Sequence, residues 1–244
     1  MVNGKYAALS GAVARMRTLD NISERLASAK TPGYKKGTEA FAARLGEAVS
    51  GMATNGTNFT TITGQKIDFT LGHMEQTGLS LDVAINGDGF FQMQQPDGDA
   101  VYTRVGSFKL SEDGQLLGNQ GYPVMDANGD EIFLPGTDVI IRVDGTIWED
   151  GGDAPIAQIG LFVFEDTDVL RRAGHGMFVA ADETEPQLHP QPEMIQNNLE
   201  SSNVNMMEEM PRMTANMRAF EATQKALRIY SDMNAKASEL GLLQ

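Results

Sequence analysis

The sequence predicts an α+β protein: an antiparallel, mainly β core domain flanked by N- and C-terminal helices that pair as a coiled coil. Narrow apolar stripes occupy both ends of the 244-residue chain at alternating spacings of three and four residues, the spacing of a coiled-coil seam. Between them, short runs rich in β-branched and aromatic residues alternate with Asn-Gly and Asp-Gly dipeptides. Such alternation is typical of hairpins and meanders.

The N-terminal helix is predicted over residues 1–32. Its apolar stripe, interrupted only by Ser23, consists of Leu9, Ala12, Met16, Leu19 and Leu26. Thr31-Pro32-Gly33 ends the helix, because proline disfavours the α conformation of its predecessor and glycine permits a turn.

Residues 33–75 are interpreted as an extended connector with some strand pairing. Gly, Thr and Asn dominate between Gly51 and Gly64, which favours extended or irregular backbone. Glu39–Leu45 is the exception, because its composition favours a short helix.

The β-rich core domain is predicted over residues 76–198. Its expected strands are Leu81–Ile85, Gly89–Met93, Val101–Val105, Ser107–Leu110, Tyr122–Met125, Ile132–Leu134, Val139–Val143, Thr146–Trp148, Ile156–Phe164 and Met177–Val179. The expected tight turns are Asn86-Gly87, Asp97-Gly98, Asp113-Gly114, Asn128-Gly129 and Asp144-Gly145, because these residue types tolerate positive φ.

The C-terminal helix is predicted within residues 199–244. Its stripe consists of Met206, Met210, Met213, Met217, Phe220, Gln224, Leu227 and Ser231. The alternative is an ordinary amphipathic helix that lies on the core domain. Pro211 predicts a kink or a later helix start, because it removes a backbone donor. The methionines suit packing in irregular interhelical gaps better than a soft metal site.

Charge is segregated along the chain, whose net charge is −14. Residues 1–44 hold eight basic and three acidic residues, a net +5, whereas residues 76–200 hold five basic and 22 acidic residues, a net −17. An acidic core disfavours nucleic acid as a partner, because phosphates are repelled. We expect it to be a solvated outer surface that limits aggregation of unassembled copies.

The sequence contains no recognisable catalytic constellation. The absence of cysteine excludes disulfides, thiolate nucleophiles and Fe–S clusters. His73, His175 and His189 are widely spaced, and neither a Gly-x-Ser-x-Gly motif nor a nucleotide-binding glycine motif is present. We therefore predict no enzyme activity, no cofactor and no catalytic, cofactor-binding or metal-binding residue.

Two acidic features leave alternatives open. Asp126–Asp130 imitates the start of an EF-hand loop, but Glu131 occupies the required glycine position, so a hairpin turn is the better interpretation. The carboxylate pairs Glu149-Asp150 and Asp166/Asp168 are those expected by chance on an acidic surface. The alternative functions are an acidic β-rich calcium- or carbohydrate-binding module with helical oligomerisation ends, and a hydrolase that uses scattered carboxylates.

The longest apolar run, Ile159–Phe164, is far shorter than the roughly 20 residues of a membrane helix, so we expect no membrane span. The first ten residues lack the apolar region and cleavage site of a secretory signal. Any export is therefore expected to proceed without a cleaved signal peptide.

Three segments of the sequence carry recognisable motifs: Leu19–Lys35 with its Thr-Pro-Gly-Tyr-Lys ending, Leu81–Gln92 followed by Tyr102–Lys109 and Asp113–Leu116, and Leu199–Asn205 leading into Arg218–Glu221. Together they resemble the bacterial flagellar basal-body rod and hook protein family. The motif positions are Thr31, Pro32, Gly33, Tyr34, Lys35, Gly87, Gly89, Phe90, Phe91, Asn203, Val204, Asn205 and Glu209. In its length and its lack of a long insertion, the chain is most similar to the proximal rod members of this family and next to the distal rod members.

The resemblance implies a structural subunit of the periplasm-spanning flagellar rod, exported by the flagellar type III apparatus. Implied partners are copies of itself, other rod proteins, and hook-proximal and ring components. The helix stripes then supply the assembly interface, through Leu9, Ala12, Met16, Leu19, Leu26, Met210, Met213, Met217, Phe220 and Leu227. A narrow stripe is too small to bury within one monomer, so we expect the terminal segments to become ordered on assembly.

Overall fold

A computed structural model of the chain describes residues 2–45, 58–149, 151–181 and 184–241. Long helices at both ends and mostly antiparallel sheets between them confirm the α+β class. The chain forms two compact units. Unit 1 comprises Met1–Ala27, Gly37–Lys66 and Asn205–Gln244, and unit 2 comprises Ser28–Lys36 and Ile67–Val204.

The helices are α1 (Val2–Ser28) and α2 (Met206–Gly241). The strands are β1 (Gly37–Leu45), β2 (Asn58–Ile67), β3 (Met74–Gln76), β4 (Val83–Ile85), β5 (Phe90–Gln94), β6 (Ala100–Thr103), β7 (Lys109–Leu110), β8 (Leu116–Leu117), β9 (Val139–Ile141), β10 (Thr146–Glu149), β11 (Pro155–Gln158), β12 (Leu161–Val163), β13 (Leu170–Gly174), β14 (Met177–Ala180), β15 (Gln187–Leu188), β16 (Met194–Gln196) and β17 (Asn198–Glu200). A short 3-10 turn at Thr167–Val169 precedes β13.

A six-stranded antiparallel sheet, in the order β13-β14-β6-β5-β12-β15, forms the centre of unit 2. The adjacent residues Phe90 and Phe91 of β5 belong to two different hydrophobic clusters, because successive side chains of a strand point to opposite faces. Phe91 lies in the larger cluster, and Phe90 lies among aromatic rings such as Phe178, 5.9 Å away between centroids.

The chain returns to unit 2 just before α2. There β16 pairs with β4, and β17 pairs with β3, both antiparallel. Glu200, the last residue of β17, is thereby placed opposite Met74 and inside the core, where it is only 1% exposed. These short pairings bring Leu199–Asn205, the third segment of the family resemblance, to the other two segments of that resemblance.

The helix expected at Glu39–Leu45 is wrong, because these residues belong to β1. In unit 1, β1 and β2 form a two-stranded sheet, and this pairing overrides a weak local helix preference. The part of the Gly-, Thr- and Asn-rich stretch from Gly51 to residue 57 lies outside the described residues.

Four of the expected strands are interrupted, shortened or reduced to bridges. Ile156–Phe164 is interrupted between β11 and β12, because Gly160 passes so close to another segment that a Cβ there would lie 2.5 Å from the Asp126 carbonyl oxygen. Tyr122–Met125 and Ile132–Leu134 form isolated bridges rather than strands, and Ser107–Leu110 shortens to β7.

The turn predictions are confirmed. All five glycines of the Asn-Gly and Asp-Gly dipeptides have positive φ, between 81° and 131°. At Asp126 the carboxylate accepts hydrogen bonds from the backbone N–H groups of Asn128 and Asp130, at 2.7 and 2.9 Å. This side chain closes a hairpin turn, as the sequence predicted.

Polar side chains join α1 and α2 within unit 1. Arg15 donates a hydrogen bond to Asn216 at 3.0 Å, and Arg25 lies 3.5 Å from Glu209. From the first contact to the second, the residue number increases along α1 and decreases along α2, so the two helices are antiparallel. Coiled-coil pairing through the apolar stripes stays a prediction, because these contacts use other positions.

The start of α2 contradicts the expectation that Pro211 delays the helix. Asn205 caps the helix, since its side-chain oxygen accepts a hydrogen bond from the Met207 N–H at 3.0 Å. Pro211 lies inside the helix, near its start. Pro211 has no N–H to donate to the Met207 carbonyl, and Met207 is 83% exposed.

Candidate functional site

The three segments singled out in the sequence meet inside unit 2. The Gly33 N–H donates to the Glu200 carbonyl at 2.7 Å, and the Lys36 N–H donates to the Asn203 side-chain oxygen at 2.8 Å. The Asn203 amide in turn donates to the Asp68 carbonyl at 2.8 Å. The segment that follows α1 is therefore bound to the segment that precedes α2.

Lys35, Arg104 and Glu200 form a buried ionic cluster at this meeting point. The side chains of these three residues are at most 1% exposed. The Lys35 Nζ lies 2.6 Å from Glu200 Oε1, and Arg104 Nη1 lies 3.8 Å from Glu200 Oε2. Each of the three sequence segments contributes one member.

Backbone groups complete the cluster. The Lys35 Nζ also donates to the Thr70 carbonyl at 2.7 Å, and Glu200 Oε1 accepts from the Gly72 N–H at 2.8 Å. Both terminal nitrogens of Arg104 donate to the Gly87 carbonyl, at 2.7 and 2.8 Å. Within the described residues, Arg104 Nε and Glu200 Oε2 have no hydrogen-bond partner.

Burial dominates the electrostatics of this cluster. It lowers the pKa of Lys35, and the positive charge of Arg104 lowers that pKa further, while Glu200 raises it. Burial likewise lowers the pKa of Arg104, against the attraction of Glu200 and Asp88. Because two cations share one buried carboxylate, Glu200 is the group on which the stability of the cluster depends most.

Glycines allow the segments to approach one another. Gly33 has a φ of +65°, and a Cβ at this position would lie 2.8 Å from backbone atoms of Arg104 and Val105. Gly89 has a φ of +123° and packs against the Leu161 side chain. Any side chain at Gly33 would combine backbone strain with a steric clash.

Tyr34 makes a cation–π contact with Arg172. The Arg172 guanidinium carbon lies 4.7 Å from the centre of the Tyr34 ring, and this guanidinium also donates to the Lys35 carbonyl. The pair fixes the Thr-Pro-Gly-Tyr-Lys segment to β13.

Most of the motif residues predicted from sequence are buried or half-buried. Gly33, Tyr34, Lys35, Phe90, Phe91 and Val204 are buried, Pro32 and Gly87 are half-buried, and Thr31 is exposed. In unit 1, Asn205 caps α2, and Glu209 is held by Arg25 and by Arg212, the latter at 2.9 Å.

Sequence reasoning missed three residues of this site: Arg104, Glu200 and Arg172. A usable signal existed for Arg104 and Glu200, because each is a charged residue within a segment of the family resemblance. Arg172 gave no comparable signal, since nothing in its local sequence marks Tyr34 as its partner.

The predicted helix-stripe residues differ in exposure. Leu9, Met16, Met210 and Met217 are 47–58% exposed. Leu19, Leu26, Met213, Phe220 and Leu227 are half-buried, and Ala12 is buried.

In α2 the less exposed positions include Glu209, Met213, Asn216, Phe220, Thr223 and Leu227, with Ala219 and Ala226 next to two of them. These positions also alternate in steps of four and three. The two series share Met213 and Phe220, but Glu209 and Asn216 take the less exposed places that the prediction gave to Met210 and Met217. Met210 and Met217 therefore remain exposed.

The acidic features give no support to a metal-binding or hydrolytic function. Over residues 2–45, 58–149, 151–181 and 184–241, no three His, Asp or Glu side chains are arranged to hold a metal ion. Asp166 Oδ1 accepts from the Asp168 N–H at 2.8 Å and so caps the 3-10 turn. Asp150 lies outside the described residues. Neither helix in the described part of the chain is long and apolar enough to cross a membrane.

Comparison with known proteins places these segments in one family. Residues 84–149 match the model of the flagellar hook protein FlgE/F/G D1 domain, and residues 195–240 match that of the flagellar basal body rod FlgEFG protein C-terminal region. The flagellar basal-body rod protein FlgG of Buchnera aphidicola subsp. Acyrthosiphon pisum is 31% identical over 265 residues, covering 98% of this chain and 100% of that protein. The chain belongs to the flagellar FlgE/F/G hook and rod protein family.

Relatives named FlgF match over nearly their full length as well. Flagellar basal-body rod protein FlgF of Mesorhizobium japonicum is 32% identical over 231 residues, covering 93% of each chain. FlgF of Escherichia coli K12 is 31% identical over 247 residues, covering 96% of each chain. The protein is accordingly a structural component of the bacterial flagellar basal-body rod and serves motility.

Two of the three residues of the ionic cluster lie within ranges that the family models match. Gly87 and Arg104 lie in the D1 match, and Glu200 and Asn203 lie in the C-terminal match. Lys35 lies N-terminal to both. The cluster therefore joins the FlgE/F/G D1 region to the segment that follows α1 and to the segment that precedes α2.

Proposed function

We propose that this rod-family protein assembles helically, each copy contacting its neighbours through the exposed stripes of α1 and α2 to form part of the axial drive shaft. The observation that carries the proposal is the exposure of Leu9, Met16, Met210 and Met217, each 47–58% exposed. Apolar side chains that recur along a helix stripe and that the monomer leaves uncovered are typical of an interaction surface.

The helix pair supports this arrangement. Arg15–Asn216 and Arg25–Glu209 are polar contacts between α1 and α2, while Leu9, Met16, Met210 and Met217 stay exposed and available to other chains. In the assembly we expect coiled-coil packing in which the predicted stripes interdigitate, and terminal segments that gain order as they become buried. A helical rod requires heterologous contacts, in which the two contacting faces of a copy differ.

The ionic cluster has a mechanical role in this proposal. Lys36 and Val204 are the last residues of unit 2 before the chain enters unit 1, and the cluster holds both of these segments in the core. A buried, hydrogen-bonded anchor resists displacement of either segment when a load acts along the chain.

The partners in this proposal are copies of the chain, other rod proteins, and hook-proximal and ring components, with the flagellar type III apparatus as the export route. FlgF-like and FlgG-like positions in the rod are both compatible with the comparisons. Chain length favours the proximal, FlgF-like position.

Aspartate substitutions on the stripe test the assembly proposal. Leu9→Asp and Met210→Asp are expected to abolish polymer formation by the purified chain, while monomer stability changes by only about 0.5 kcal/mol because both sites are exposed. Sedimentation velocity and electron microscopy provide the readouts. Ala222→Asp, on the exposed face of α2 away from the stripe, is the matched control and should still polymerise. Polymers of normal length from both stripe variants would contradict the proposal.

A further inference from the structure

The methionines of this chain occupy two contrasting environments. In unit 2, Met93, Met125, Met177 and Met194 are at most 5% exposed. On the terminal helices, six methionines are 37–83% exposed, namely Met16, Met206, Met207, Met210, Met217 and Met233. Among the methionines whose burial the structure describes, the exposed ones lie on α1 and α2 alone.

Exposed thioethers react with peroxides, whereas buried ones react only when the fold opens. Hydrogen peroxide transfers one oxygen atom to the sulfur as its O–O bond breaks, and water leaves. The sulfur loses two electrons and the peroxide gains them. Because the chain has no cysteine, thioethers are its only sulfur groups and no thiol competes for the oxidant.

We propose that Met210 and Met217 form a peroxide-sensitive modification site at which oxidation to the sulfoxide disables assembly. The inference rests on the proposed function, because it requires these side chains to be buried between copies. They lie seven residues apart on one face of α2 and are 58% and 47% exposed in the single chain. A sulfoxide is polar and chiral, so its burial in an apolar interface without a hydrogen-bond donor is unfavourable.

The position of these residues also predicts selectivity. Met207 is 83% exposed and precedes Met210 in the same helix, but it lies outside the stripe. Its oxidation is expected to be at least as fast and to have no effect on assembly. Oxidation of the core methionines would instead unfold unit 2, and the low exposure of Met93 and Met194 delays that reaction.

The experiment treats the purified full chain with hydrogen peroxide and maps sulfoxides by peptide mass spectrometry. Sulfoxide is expected at Met207, Met210 and Met217 before it appears at Met93 or Met194, and sedimentation is expected to show loss of polymer. Methionine sulfoxide reductases of both epimer specificities should restore polymer formation. Simultaneous oxidation of exposed and core methionines would overturn the proposal.

Leucine variants separate the site from its surroundings. All of these variants are made in a Met16→Leu background, because Met16 is another exposed stripe methionine, at 55%. Met210→Leu combined with Met217→Leu conserves volume and is expected to polymerise and to keep polymerising after peroxide treatment. Met207→Leu in the same background is the matched control and should remain peroxide-sensitive. Equal loss of polymer in the double-leucine variant, or normal polymer from wild-type chains oxidised at Met210 and Met217, would refute the inference.

Failure of the proposed function gives a different result. If Leu9→Asp and Met210→Asp polymerise without peroxide, the stripes are not the assembly surface and both proposals fail. If those variants are assembly-defective while oxidised wild-type chains polymerise, assembly through the stripes stands and the modification site alone is refuted.

Discussion

Glu200→Gln is expected to destabilise unit 2 strongly, because it removes the carboxylate that lies between two buried cations. Glutamine keeps the size of the side chain and one carbonyl acceptor, so the main change is the lost negative charge opposite Lys35 Nζ, at 2.6 Å, and Arg104 Nη1, at 3.8 Å. Leaving a buried charge unpaired costs about 3–5 kcal/mol. A loss of about 4 kcal/mol lowers the folding equilibrium constant roughly a thousandfold.

Urea unfolding followed by tryptophan fluorescence measures this loss directly. Trp148 is the only tryptophan, and it lies in β10 of unit 2 with the Arg142 guanidinium carbon 4.0 Å from the ring centre, so its emission reports on the fold that contains the cluster. Lys36→Met is the matched control, because it breaks a partly exposed pair, Lys36–Asp68 at 3.3 Å, worth about 0–1 kcal/mol.

The three buried charges also predict an order of stability among variants. Lys35→Met should cost less than Glu200→Gln, because it leaves Arg104 and Glu200 as a neutral pair. Combining Lys35→Met with Glu200→Leu should cost less than the sum of the single changes, since the members of one network are not additive. A Glu200→Gln protein that loses no more stability than Lys36→Met would refute the central role of this carboxylate.

Three further predictions concern other parts of the molecule. Phe220→Asp should prevent assembly and, unlike Leu9→Asp, should also lower the helix content measured by circular dichroism, because Phe220 is half-buried; unchanged motility would count against the stripe. Gly33→Ala should cost about 1–3 kcal/mol in urea unfolding, because φ is +65° and the new Cβ would lie 2.8 Å from the Arg104 carbonyl carbon; a neutral effect would show that the segment can shift. Hydrogen bonds from the Thr146 hydroxyl and backbone lower the pKa of Asp144 below its ordinary 3.8, so this carboxylate stabilises the fold fully above that pH, and its contribution is lost as pH falls through the folded-state pKa. Asp144→Asn should therefore flatten the acid side of a thermal-midpoint profile, and an unchanged profile would contradict this assignment.

Local chemistry in the sequence was sufficient to predict the turns and most strands of unit 2, and it placed the end of α1 within a few residues of Ser28, where the helix ends. Asn-Gly and Asp-Gly dipeptides predicted positive φ correctly because the demand for a tight turn is local. The error at Glu39–Leu45 arose because strand pairing with β2 is a tertiary effect. Periodicity also could not distinguish Met210 from its neighbour Glu209, whose burial depends on Arg25 in the other helix.

The candidate site could be predicted only in part. The motif at Thr31–Lys35 was visible, but the Lys35–Glu200 bond joins residues 165 positions apart, and no local pattern specifies such a partner. Charged residues are usually exposed, so the residue types of Arg104 and Glu200 gave no indication of their burial.

The wide spacing of Lys35, Arg104 and Glu200 also affects the order in which the chain folds. Contacts between residues far apart in sequence form slowly, because closing long loops costs entropy before the contact stabilises anything. A nascent or truncated chain that ends before residue 200 carries the two cations without their carboxylate, and it also lacks β17. The ionic cluster therefore closes late, and it distinguishes a chain that has acquired its C-terminal segment from one that has not.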